Sequence, residues 1–281
     1  MNNKEIKEIK EAVVLLGGLG TRMLPLTKVV GKEMLPIFDA PLLHKLVLEC
    51  YNSGIRKMIF VVTKFNKSLI QKYFSNDVYL DNYIKNNPEK QELLKELKML
   101  VKNMKFVYVH QQERGTYGAL YSARKYIKND NFLVLYDDEL IVNDKESSID
   151  QVINEFKKEN KMVIGVMEDK KETVGLVVTD KEHNFIDLKR SNETKSRDII
   201  VGRMILNKKV FTIRKLCRFS KENELFLPQA IVHHLNGEAK IIKIKGEYFN
   251  IGSKLGYLKA SLLFATKSIY KDDIKDYINK L

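Results

Sequence analysis

The sequence predicts an α/β fold: a Rossmann-like, doubly wound, mainly parallel sheet with a smaller C-terminal β-rich portion. Three observations carry this. Up to about residue 170, short β-branched apolar runs alternate with segments of helical apolar spacing. Beyond that point the pattern turns to closely spaced short strands. No stretch rich in Pro, Gly or Ser separates the two parts, and there is no internal repeat, so the 281 residues read as one integrated domain.

Each element follows from its residues. AVVLL at 12–16 is short, apolar and β-branched, and glycines follow at once: a buried strand entering a loop. In 42–54, Leu43, Leu46, Val47 and Cys50 keep helical spacing and Gly54 caps the end. KMIFVVT at 57–63 is the next strand and NKSLIQKYF at 66–74 the next helix. Residues 76–104 are polar and helical, an excursion from the alternation. A strand at 105–111, a helix at 118–127 and a strand at 131–140 running into acids follow. An amphipathic helix at 148–160 and a strand at 161–167 complete this part. VGLVVTD, NFIDLKR, IIVGRMIL and AKIIKIKG supply the later strands, packed on the first sheet.

Composition narrows the function. Lys plus Arg number 49 against 36 acids, a net charge of +13. The lysines are scattered among glutamates, and no interleaved aromatic and basic patch appears, so a lysine-rich surface is favoured over nucleic-acid binding. No apolar run reaches membrane-span length and no signal peptide is read. Cys50 and Cys217 lie far apart in no metal-ligand pattern, so a reduced cytoplasmic compartment is expected. His233 and His234 are adjacent on a predicted helix, point apart and do not suit one metal.

The chemistry concentrates in LLGGLGTRMLPLTKVVGKEMLP, residues 15–36. A strand followed by Gly17, Gly18 and Gly20 exposes backbone N–H groups to an anion. An ordinary glycine-rich β-to-α turn carries the same glycines. Arg22, Lys28 and Lys32 add cations, and Pro25, Pro36 and Pro41 stiffen the segment that presents them. Gly31-Lys32 is followed by Glu33, not Ser or Thr, so this is not a Walker A loop. The third glycine of the dinucleotide fingerprint is also missing.

GGLGTRMLPLTKVVGKEMLPIFDAPLLHKLVLE resembles the N-terminal signature of bacterial UTP–glucose-1-phosphate uridylyltransferases, sugar-nucleotide pyrophosphorylases of the nucleotidyltransferase group. FVVT, IQKYF, VGRMIL and GSKLGYLKA extend the resemblance over essentially the whole chain. It implies a GT-A-like fold with a nucleotide-binding core at about 12–170, a sugar-binding portion at about 171–260 and a helical tail at 261–281. It implies transfer of a uridylyl group from UTP to glucose 1-phosphate or a related sugar 1-phosphate, with Mg2+ assisting and pyrophosphate leaving. It also implies a homo-oligomer, dimer or tetramer.

By the same resemblance, Gly17, Gly18, Gly20 and Thr21 lie along the nucleotide. Arg22 and Lys32 serve the phosphates, and Gln111 and Gly115 serve the base. Gly175, Lys189 and Glu224 serve the sugar, with Lys189 also catalytic. Asp137 and Asn250 serve the metal, and the adjacent Asp138 is the alternate. An amide at Gln111 offers a donor and an acceptor to a pyrimidine edge, though a polar loop before a helix has the same residues.

The chain departs from the family pattern at several places. Gly31 replaces a proline, and Gly118 stands near a usual histidine. Leu188 replaces a carboxylate, and Asn250 replaces a metal-binding aspartate. Phe226 and Gln229 stand where polar and acidic groups are usual. Leucine cannot accept from a sugar hydroxyl, and asparagine removes a negative charge from the metal. Two readings follow: a working enzyme with altered sugar preference or metal binding, and a nucleotide-binding, catalytically impaired relative acting through a protein partner.

Overall fold

The computed structural model describes residues 8–169, 172, 175–215, 224–234 and 237–280. Cys217 and the side chains of Gln229, His233 and His234 lie outside the described residues.

The chain runs β1 (Glu11–Leu15), β2 (Pro36–Ile37), β3 (Ala40–Pro41), α1 (Leu42–Asn52), β4 (Lys57–Val62) and α2 (Lys67–Tyr73). The polar excursion forms α3 (Val78–Ile84), α4 (Pro88–Leu93) and α5 (Lys95–Asn103). Then come β5 (Lys105–His110), α6 (Gly115–Ala123), β6 (Asn131–Tyr136), β7 (Glu139–Val142), α7 (Ser148–Glu159) and β8 (Met162–Glu168). The later part holds β9 (Leu176–Thr179), β10 (Phe185–Lys189), β11 (Asp198–Asn207), α8 (Leu227–His234), β12 (Ala239–Lys243), β13 (Glu247–Asn250), α9 (Lys254–Thr266) and α10 (Lys271–Asn279).

β1 lies in the middle of a nine-stranded sheet, parallel to β4 on one side and β6 on the other, with β5 parallel beyond β4. All five β1 residues are buried, as a strand covered on both faces requires. Its alternation sorts the core into two layers. Val13 and Leu15 pack on one face with Tyr117 and Leu120 of α6. Ala12 and Val14 pack on the other with Leu43 and Val47 of α1 and Ile149 and Val152 of α7.

The β-rich portion differs from expectation in one respect: β8 to β12 extend the same sheet instead of packing on it. β11 joins β6 antiparallel and carries β8 and β9 with it. β11 can do this because it is ten residues long: β8 pairs with both its halves, across a register shift between Ile200 and Met204, while β9 meets it at Ile199 and β6 at Arg203–Asn207.

Other differences are local. α1 ends at Asn52 and Gly54, at φ +88, turns the chain back, with the Ile55 N–H bonding the Cys50 carbonyl. The helix expected at 118–127 begins at Gly115 and ends at Ala123. The strand expected at 131–140 breaks at Asp137 and Asp138, and Glu139 begins β7, which leaves the main sheet to pair with β13. Cys50 is buried and its thiol is free. Among the described residues no helix is long and apolar enough to cross a membrane.

Candidate active site

β1, β4, β5 and β6 run parallel, so their C-terminal ends share one edge of the sheet, where α/β proteins form their ligand crevices. Gly17 and Gly18 follow β1, Gln111 follows β5, and Asp137 follows β6. All four line a cleft of about 260 Å³. Larger hollows of about 300 and 370 Å³ lie against α1 and against α2, α3 and α5, away from this edge.

The charged centre is Lys32. Its ammonium lies 2.6 Å from Asp138 Oδ2 and 3.0 Å from Asp137 Oδ1, and only 7% of the residue is exposed. Burial alone would lower the Lys32 pKa, but the charges of Asp137 and Asp138 and its hydrogen bonds to them outweigh burial and hold it above the usual lysine range. Burial pushes the Asp137 carboxyl up; Lys32 pulls it down, and Asp138 and Glu33 push it up again. Both partners of one ion pair therefore shift upward. The geometry explains it: one ammonium serves two carboxylates, and the cluster is short of positive charge. Arg22 relieves this little, since it is two-thirds exposed and 3.9 Å from Asp138.

Two buried oxygens in this cluster have no hydrogen-bond partner, Asp137 Oδ2 and Asn250 Oδ1. Asn250 ends β13 opposite Glu139, and the Ile251 N–H bonds the Asp138 carbonyl at 2.7 Å. A side chain at Gly252 would stand 2.7 Å from Arg22 Nη2, 2.9 Å from Asp138 Oδ2 and 3.0 Å from Asn250 Oδ1, so these groups converge on one point. Among the described residues no group of three or more His, Cys, Asp or Glu side chains is disposed to hold a metal. The orphaned carboxylate and amide oxygens are nonetheless hard donors of the kind a divalent cation takes.

The glycines have distinct reasons. At Gly17 a Cβ would stand 1.8 Å from Gln111 Oε1, so the amide occupies the space a side chain would fill. Gln111 Nε2 donates to the Glu113 carbonyl at 2.8 Å, and its Oε1 is buried without a partner. Gly18 lies under Lys32, where a Cβ would be 3.1 Å from Nζ. Gly20 takes φ +63 and its carbonyl accepts from Thr27 Oγ1. Gly115 lines the cleft, but its missing side chain is explained first by the protein: at φ +84 a Cβ would stand 2.3 Å from the Leu225 carbonyl.

The remaining expected residues divide. Glu224 lines the cleft and pairs with Arg114 at 3.2 Å. Thr21 and Arg22 form an exposed turn outside the cleft lining. Lys189 ends β10, and the exposed Gly175 precedes β9 at φ +71; neither lines the cleft. Leu188 packs against the core layer that holds Tyr136. At Gly31 the Glu33 carboxylate takes the place a ring would need, 2.2 Å from a built Cβ, and Asn66 bridges that carboxylate to the Leu16 carbonyl.

Sequence reasoning missed Tyr136, Thr116 and Ala119, which line the cleft, and the role of Glu139. Glu139 is buried, accepts from the Gly202 N–H and faces Tyr248. Only position could have pointed to Tyr136 and Glu139, since both flank the acids at the end of β6.

The chain is similar to known proteins over nearly its whole length. The nucleotidyl transferase family matches residues 11–267. UTP–glucose-1-phosphate uridylyltransferase 1 of Staphylococcus saprophyticus is 31% identical over 98% of this chain and 99% of its own length. The enzyme of that name from Staphylococcus haemolyticus is 31% identical over the same shares. Among solved structures, an apo UDP-glucose pyrophosphorylase superposes with a TM-score of 0.85 at 26% identity, covering 92% of this chain and 99% of its own. A UTP-bound UGPase from Acinetobacter baumannii gives 0.84 at 26% identity over 98% and 100%.

Proposed function

This chain belongs to the nucleotidyl transferase family, and from that premise we propose that it transfers a uridylyl group from UTP to glucose 1-phosphate, releasing pyrophosphate. The observation that carries the proposal is the cleft itself. A glycine loop, a buried lysine and a buried carboxylate meet at the C-terminal edge of the parallel strands, with an unpartnered Gln111 oxygen lying against Gly17.

The chain's own groups serve the reaction by position and charge. Gly17 and Gly18 let the nucleotide approach the backbone, and Lys32 stands beside Gly18 as a fixed cation for the phosphates. Gln111, with its donor end held by the Glu113 carbonyl, offers an acceptor to the N3–H of uracil. The sugar phosphate oxygen attacks the α-phosphorus in line, and the pyrophosphate leaves. Arg22 serves the leaving phosphates, and Lys189, Gly175 and Glu224 serve the sugar; these assignments rest on resemblance. In this reading Asp137 and Asn250 would hold Mg2+, which would supply neutralisation of phosphate charge. A cytoplasmic location and assembly as a homodimer or homotetramer are also part of it.

Isotope placement tests the proposal. With α-32P UTP the label must appear in UDP-glucose, and with γ-32P UTP it must appear in pyrophosphate. Label in free UMP or inorganic phosphate, with no UDP-sugar, would refute transfer to the sugar.

A further inference from the structure

A buried phenol oxygen without a hydrogen-bond partner is uncommon. Among the described residues Tyr108 and Tyr136 each carry one, and of the two only Tyr136 lines the cleft. Tyr117 shows the usual arrangement, its hydroxyl donating to the Val210 carbonyl at 2.7 Å. Thr116 lies close to the Tyr136 hydroxyl but outside hydrogen-bond geometry, and its Oγ1 accepts from the Leu227 N–H at 2.8 Å.

The fold builds this position. Tyr136 ends β6 opposite Leu15 of β1, and its ring continues the core layer of Phe132 and Val134 on the α6 side. Gly202 of β11 falls within the register shift between Ile200 and Met204. A Cβ there would stand 2.5 Å from Tyr136 Cβ and 2.6 Å from Cγ, so the glycine leaves the ring its seat. Around the phenol, Leu15, Ala119 and Phe226 give the cleft apolar walls, and Leu188 packs against the same core layer with no polar atom to offer. Across the sheet the strands run β5, β4, β1, β6, β11, β9, β10. Gln111 reaches in after β5, and Lys32 stands by Gly18 after β1. Tyr136 comes next, on the side where Gly175 and Lys189 border β9 and β10. A ligand whose base meets Gln111 and whose phosphates meet Lys32 therefore carries its sugar toward Tyr136.

We propose that the Tyr136 hydroxyl hydrogen-bonds one hydroxyl of the glucosyl group and so determines which sugar the cleft accepts. The inference rests on the functional reading above, with glucose 1-phosphate as acceptor. A neutral phenol both donates and accepts, which suits a partner that does the same. Between apolar walls one such bond discriminates strongly, because a sugar lacking the matching hydroxyl leaves the phenol unsatisfied.

Calorimetric titration of wild-type and Tyr136→Phe chains with UTP, UDP-glucose and the 2-, 3-, 4- and 6-deoxyglucose forms of UDP-glucose tests this without turnover. The variant keeps the ring and removes only the oxygen. It should bind UDP-glucose about tenfold more weakly and UTP within about twofold of wild type. One deoxy form should bind both chains alike, while the other three keep the tenfold difference. Equal weakening for UTP or for all four deoxy forms would assign the phenol to the nucleotide or the fold and overturn the proposal. UDP-glucose affinity within about twofold of wild type in the variant would overturn this proposal alone. A wild-type chain that does not bind UDP-glucose overturns the functional reading with it. Should Tyr136→Phe fail to fold, 3-fluorotyrosine incorporated at position 136 keeps the hydroxyl and decides by its 19F resonance. A shift with UDP-glucose that UTP does not produce supports the proposal, and equal shifts contradict it.

Discussion

Replacing Gly17 by alanine tests the base position proposed at Gln111 while sparing the fold. The new Cβ would stand 1.8 Å from Gln111 Oε1 and 2.8 Å from its Cδ. Ordinary contact requires well over 3 Å, so the amide must retreat by roughly 1.5 Å. It then gives up its 2.8 Å bond to the Glu113 carbonyl, a loss of about 1 kcal/mol. The atoms that move are the tip of a flexible side chain, and the backbone φ of Gly17 lies outside the left-handed region, so stability should fall by no more than about 1 kcal/mol. Nucleotide binding should suffer more. The displaced amide forfeits its hydrogen bond to the base and leaves that donor unsatisfied, about 1–3 kcal/mol, or roughly tenfold to hundredfold in UTP affinity. Calorimetric titration with UTP, beside a thermal melt, reads both effects. UTP affinity within about twofold of wild type, with the melt unchanged, would refute the placement of the base against Gln111.

Other perturbations separate structure from chemistry. Gly115→Ala meets backbone instead of a side chain, 2.3 Å from the Leu225 carbonyl at φ +84, and should cost about 2 kcal/mol or more in chemical denaturation. Lys32→Met leaves Asp137 and Asp138 facing each other without their shared cation, and a loss of about 3 kcal/mol is expected in the same assay. Glu139 gives a pH signature: burial pushes its carboxyl up to about 7 from 4.5, against the Gly202 N–H, so the native chain holds its proton through a range where the unfolded chain has released it. Native stability from this group is therefore complete below pH 4.5 and is lost as pH rises through about 7, by up to roughly 3 kcal/mol. Glu139→Gln should gain on the wild-type chain by about that amount between pH 4.5 and pH 8, and a constant difference across the range would contradict the buried carboxylate.

The legible parts of the fold are those where local pattern and tertiary environment ask for the same residues. β1 must be apolar throughout because both its faces are covered, and AVVLL says so directly. The glycine loop was legible for the same reason, since a close approach of backbone to neighbours excludes side chains. The split at Asp137–Asp138 was not. NFLVLYDDELIV is continuous in strand propensity, and only the pairing of Glu139–Val142 with β13, about a hundred residues onward, pulls β7 out of the sheet. Long-range pairing also hid the manner in which β11 carries the later strands onto the sheet edge. In the site, Lys32, Gln111 and Asp137 could be placed because their chemistry belongs to a motif. Tyr136 and Glu139 could not, because an aromatic ring at the end of a strand and a glutamate after two aspartates read as core and as acidic turn. Gly31 shows the opposite case: a departure from the family's proline that finds its reason in a local neighbour, the Glu33 carboxylate folded over it.

The central claim is that this cleft performs uridylyl transfer and does not merely bind a nucleotide. The most direct measurement is the initial rate of pyrophosphate release by the purified chain with UTP, Mg2+ and glucose 1-phosphate, with Lys32→Met alongside. The account predicts release that requires both substrates and falls by at least about a hundredfold in the variant. No sugar-dependent release from a wild-type chain that binds UTP would contradict it, and would favour a nucleotide-binding relative that works through a protein partner.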